Sequence, residues 1–149
     1  DVILKAALAA DPCRFTGRAA EMLAPLAEGR AVENFRRKHC QRALLGAKGV
    51  HIDPFGYVFN GQCSGMAVGN ITQTPLDQIW RRWQPDIDDF WSMLYHEGPF
   101  GFLETARRLG YSVREYASKC HLCSDIRRFF FDKDRYPPII TPGVCYGRF

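Results

Sequence analysis

Six cysteines, at positions 13, 40, 63, 120, 123 and 145 of a 149-residue chain, constrain the fold more than any other feature. An even count suits a disulfide framework in a small secreted domain. Two observations oppose that reading. The chain is larger than the usual disulfide-dependent scaffold, and its 46% hydrophobic content with eleven phenylalanines can build a core without cross-links. The apolar stretch DVILKAALAA at 1–10 is short and lacks the basic flank and cleavage pattern of a signal peptide. The cysteines are therefore read as reduced, in the cytoplasm, and available for metal.

Charge and hydropathy narrow the partners. Net charge is +4, and the basic runs Arg36-Arg37-Lys38, Arg81-Arg82, Arg107-Arg108 and Arg127-Arg128 are short and scattered. A nucleic-acid interface carries a denser basic stripe, so no nucleic acid is expected. No uninterrupted apolar run reaches the ~18 residues of a membrane span, so no membrane partner is expected either.

Local patterns predict an α+β chain, mostly helical, around one small β-hairpin. The stretches 1–10 and 17–39 read as helices, the second kinked at Pro25. Val50 and Ile52 alternate with polar neighbours. Asp53-Pro54-Phe55-Gly56 then supplies turn chemistry, and Tyr57-Val58-Phe59 is a second run of β-formers. A glycine-rich loop follows at 61–70. Thr74 as N-cap and Pro75 at the first position open a helix with an apolar face of Leu76, Ile79, Trp80 and Trp83. Two more helices are expected within 86–98 and 98–111, with Asp86, Asp88 and Asp89 at the start of the first. A turn at 118 leads into a helix stopped by Pro137-Pro138, and an irregular tail ends the chain.

Cysteine context selects four candidate ligands. Cys40 closes a basic helix before the hairpin, and Cys63 lies four residues past its second strand. Cys120 and Cys123 open a helix, where free N–H groups and the dipole favour thiolate. Four thiolates suit zinc and an iron–sulfur cluster equally. A second CxxC is absent, which argues against a zinc ribbon, and no βαβ pattern precedes residue 120 to support a redox pair. His121, between the two cysteines, is expected to point away from a metal. His51 is read as a hairpin-face residue, and His39 and His96 have no supporting context. Cys13 is read as a buried small hydrophobe. Cys145 is either an extra ligand or none. Arg127 and Arg128 are candidates to offset the charge of a thiolate site. No Ser–His–Asp order, phosphate loop or paired-carboxylate motif stands out, so no catalytic residue is assigned.

In order, Cys40, VHIDPFGYVFNGQC ending at Cys63, SGMAVGNI, TPLDQIW, CHLC at 120–123 and TPGVCYG at 141–147 resemble the C-terminal region of radical S-adenosylmethionine proteins that carry a SPASM or shortened twitch extension. The resemblance runs from about residue 35 to 147. It implies an auxiliary-cluster domain at 35–149, after a helical segment at 1–34 that ends a preceding catalytic domain. It also implies an auxiliary iron–sulfur cluster, [4Fe–4S], on Cys40, Cys63, Cys120 and Cys123. Two departures stand out. The Gly56-to-Cys63 spacing is longer than the family pattern, and the radical-generating CxxxCxxC motif is absent. S-adenosylmethionine is therefore expected only in a barrel in the same full-length protein or in a partner chain, and a first residue of Asp rather than Met fits a segment of a longer protein. A zinc-stabilised, non-catalytic binding module and a metal-free helical interaction domain are the competing expectations.

Overall fold

Helix α7 (Lys119–Asp132) shows how local sequence becomes architecture. In the computed structural model, which describes residues 2–10, 14–46 and 49–148, it is the longest helix. Ser118 is extended (φ −159°), and its Oγ accepts from the His121 N–H at 3.1 Å. That cap satisfies one donor the helix leaves orphaned. Leu122, Cys123, Ile126, Arg127 and Phe130 form its buried stripe.

The stripe meets an aromatic core. Phe130 packs edge-on against Phe102 (centroids 5.8 Å) and Tyr136 (5.1 Å), and Phe102 stacks on Phe90 at 4.8 Å. Phe90 belongs to α5 (Asp89–His96), and Phe102 ends the 3₁₀ turn Gly98–Phe102 that leads into α6 (Leu103–Arg108). Asp88 occupies the N-cap position of α5 and Asp89 its first turn, so the expected acidic helix start is present. The expected helix at 98–111 is shorter, because Pro99 sits in a 3₁₀ opening.

The hairpin forms where turn chemistry placed it. Strands β1 (His51–Ile52) and β2 (Tyr57–Phe59) pair antiparallel, His51 opposite Phe59, and Asp53 Oδ1 accepts from the Phe55 and Tyr57 N–H groups at 2.9 Å. A third strand, β3 (Gly69–Asn70), lies within the stretch expected to be a loop and pairs Tyr57 with Asn70. Two residues carry no readable alternation. The sheet order is β1-β2-β3. Together with the helices it bears out an α+β, mostly helical fold.

Two helical expectations are corrected. The stretch 17–39 is not one kinked helix. It divides into α2 (Arg18–Met22), 3₁₀ turns at Ala24–Leu26 and Val32–Phe35, and an extended strip in which Arg30 and Tyr116 exchange backbone hydrogen bonds at 3.0 and 2.9 Å. Pro25 cannot donate inside a helix, and the pairing with Tyr116 outweighs Ala and Leu propensity. Val32 and Phe35 join the common core. In α4 (Leu76–Arg82), Pro75 rather than Thr74 holds the N-cap position. Ile79 is buried and packs over Gly69, but Trp80 stays 37% exposed, its ring tilted against Trp83. The N-terminal α1 (Val2–Ala10) forms as expected, with Val2 and Ile3 exposed. No helix among the described residues is long and apolar enough to cross a membrane.

Gly98 decides how the α5–α6 corner meets the segment before residue 40. Its φ is +69°, and a Cβ there would lie 2.2 Å from the Lys38 carbonyl oxygen. Gly98→Ala is expected to cost about 2 kcal/mol or more in urea unfolding. A loss under about 0.5 kcal/mol would contradict this packing.

Candidate metal centre

Helix α7 presents Cys120 in its first turn and buried Cys123 one turn on. The side chain beside them reaches to the second segment. Lys119 Nζ donates to the His39 carbonyl oxygen at 2.7 Å, holding the residue before Cys40 against the start of α7. Cys40 does not close a helix, as expected, but opens one. It occupies the N-cap position of α3 (Gln41–Leu45), its N–H donates to Leu94 O at 2.9 Å, and its carbonyl accepts from Ala43 and Leu44.

Cys63 is held by Asn60, a fully buried polar side chain. Asn60 Oδ1 accepts from the Gln62 and Cys63 N–H groups, both at 3.1 Å, and its Nδ2 donates to Ala43 O in α3 at 3.4 Å. One amide thus bends the Cys63 loop and ties it to the helix that Cys40 opens.

Cys40, Cys63, Cys120 and Cys123 line one cavity of about 810 Å³. Arg14, Arg42, Lys119 and Arg127 also line it, and among the described residues no carboxylate does. All four cysteines are free thiols. Among the described residues, no three Cys, His, Asp or Glu side chains converge tightly enough to hold a single metal ion. Soft sulfur donors with no oxygen ligand suit zinc or an iron–sulfur centre rather than a hard cation.

Burial, with repulsion from Cys123 next, pushes the Cys40 and Cys63 thiols up to about 12, against opposition from Lys119 at Cys40 and Arg127 at Cys63. Burial also raises the Cys120 thiol, with repulsion from Cys123 the next cause. This corrects one expectation, since the helix start does not make Cys120 a ready thiolate. Desolvation outweighs it.

Arg127 and Arg128 part company. Arg127 is 2% exposed, and its Nε donates to Cys123 O at 3.3 Å. Its Nη1 donates to Ser64 O at 2.7 Å and to the Tyr146 hydroxyl at 3.2 Å. Burial opposes its charge, yet Tyr146, Cys123 and Cys63 outweigh that and hold its pKa above the ordinary value. Arg128, expected beside the site, instead pairs with Glu21 and lines a separate pocket with His121. Neighbours on a helix point about 100° apart, so only one can face the cavity.

The remaining candidates fall elsewhere. Cys145 is half-buried beside Gly65 and does not line the cavity. His121 turns away, its Nδ1 accepting from the Ala117 N–H at 3.2 Å and its ring packed against Tyr116. His51 is exposed on β1, His39 contributes only its carbonyl, and His96 Nε2 lies 3.2 Å from Asp86 O. Cys13 lies outside the described residues. Three residues around the site escaped sequence reading: Asn60, Lys119 and Tyr146. Asn60-Gly61 is a turn dipeptide and signals a bend, but nothing local signals the partners of the other two.

No protein-family model, no curated protein and no solved structure matches this chain.

The raised thiols give the metal-free protein a signed pH dependence. Unfolded thiols ionise near their ordinary 9.0, whereas folded Cys40 and Cys63 keep their protons to about 12. The stabilisation is complete below pH 9 and is lost as pH rises towards 12. Tyr146, raised to about 12 by burial, adds in the same direction. Thermal melts of reduced, metal-free protein are expected to hold level to pH 9 and fall above it, less steeply in Cys63→Ala. A level profile through pH 11 would contradict the burial of these thiols.

Proposed function

We propose that this chain is an iron–sulfur-binding auxiliary domain that works with a radical S-adenosylmethionine barrel, in the same full-length protein or in a partner chain. Cys40, Cys63, Cys120 and Cys123 are the ligands of a [4Fe–4S] cluster. The observation that carries the reading is that four free thiols, from three separate segments, line one cavity, with no carboxylate among the described residues that line it. The order of cysteines, hairpin and CxxC along the chain supports the same assignment.

When bound, such a cluster supplies one-electron transfer. Four cysteine ligands complete its coordination, so electron relay or bracing of the fold follows, rather than substrate held at an open iron. The chain's own residues do the holding. Lys119 anchors the Cys40 segment, Asn60 shapes the Cys63 loop, and Arg127 joins that loop to α7. The radical-generating step belongs to the barrel, because CxxxCxxC is absent from this sequence. Cys145 and Arg128 are left out of the ligand set and of the charge compensation, since neither lines the cavity.

Anaerobic reconstitution with ferrous iron and sulfide tests the assignment. The expected product contains iron and sulfide in equal amounts, with a broad visible absorption band. Cys120→Ser and Cys123→Ser should lose both the cluster and much of the thermal stability, because binding at such a site is coupled to folding. Cys145→Ser should keep both. One zinc per chain, no sulfide and no visible band under these conditions would sink the iron–sulfur reading in favour of a zinc-stabilised module. Unchanged stability and no metal in any of these variants would favour a metal-free interaction domain.

A further inference from the structure

Arg127 is a buried cation with no carboxylate partner among the described residues. Its bonded partners are two backbone carbonyls and the Tyr146 hydroxyl. An ionised guanidinium taken out of water costs several kcal/mol unless an anion compensates it. Neutral acceptors make up only part of that cost. The sulfurs of Cys123 and Cys63 line the same cavity as Arg127, and as cluster ligands they would carry the negative charge that faces it.

Tyr146 fixes the guanidinium from the far side. Its ring stacks on Phe131 (centroids 5.1 Å, 18° between planes), and its hydroxyl donates to the Gly65 carbonyl while accepting from Arg127 Nη1. Residue 65 must be glycine for this closure. Its φ is +80°, and a Cβ there would lie 2.7 Å from the Tyr146 hydroxyl. The tail thus closes over Arg127 and holds its charge towards the thiols instead of towards solvent.

We propose that Arg127, held in place by Tyr146, is a positioning residue that sets the reduction potential of the cluster. The inference rests on the iron–sulfur reading above. Reduction adds one electron, supplied by the titrant, and makes the cluster one charge more negative, with no bond formed or broken. A fixed positive charge on a buried side chain stabilises the reduced form more than the oxidised one. The potential is therefore higher with Arg127 than without it. Lysine retains the charge but not the fork that bonds Ser64 and Tyr146 together.

Redox titration of the reconstituted full chain, followed by visible absorption and the electron paramagnetic resonance of the reduced state, tests this. Midpoints are expected to fall in the order wild type, Arg127→Lys, Arg127→Met. Tyr146→Phe should fall below wild type, and Arg128→Gln should equal it. If Arg127→Met fails to hold the cluster, Arg127→Lys and Tyr146→Phe against Arg128→Gln carry the comparison. Loaded variants at residues 127 and 146 with the wild-type midpoint, or an equal fall in Arg128→Gln, would overturn the inference while leaving the cluster assignment intact. A wild-type chain that takes up no cluster would overturn both.

Discussion

The buried guanidinium of Arg127 is the contact on which the arrangement of the cavity most depends. From one side chain on α7, bonds run to Cys123 O on its own helix, to Ser64 O beside Cys63, and to Tyr146 in the tail. Segments far apart in sequence meet there, and a charge is buried in the process. Burying a charge is unfavourable without compensation. Arg127 also lines the cavity that the four thiols share.

Around that point the helix acts as a spine. Lys119 at its start ties down the Cys40 segment, and Arg127 two turns on ties down the Cys63 loop. Asn60 closes the third side by linking the Cys63 loop to Ala43. The aromatic cluster of Phe90, Phe102, Phe130 and Tyr136 fixes α7 against the rest of the core. The site is thus braced by rigid packing on one side of α7 and by hydrogen bonds to loops on the other. The cost appears in the thiols, because burial holds Cys40 and Cys63 protonated. Any occupant bound through these sulfurs would have to displace their protons.

Local signals were legible in the sequence, and distant ones were not. Helix α7 could be read because its opening turn at 118, its CxxC and the stop at Pro137-Pro138 lie close together along the chain. The hairpin could be read because Asp53 and Gly56 carry turn chemistry by themselves. The stretch 17–39 was misread because its Ala and Leu content favours helix while its real partner, Tyr116, lies far down the chain. Strand β3 was missed because two residues have no pattern. The four cavity cysteines were all named from context, but Lys119, Asn60 and Tyr146 act through partners that no local pattern discloses. Arg127 and Arg128 were indistinguishable until the helix rotation separated them, one towards the thiols and one towards Glu21.

On the proposed reading, the four thiols surround a polynuclear iron–sulfur body instead of a lone ion. X-ray absorption at the iron edge of the anaerobically reconstituted protein tests it most directly. The account predicts an all-sulfur first shell together with a short iron–iron scattering path, both lost in Cys123→Ser. A first shell with no metal–metal path, or one containing oxygen or nitrogen ligands, would contradict it.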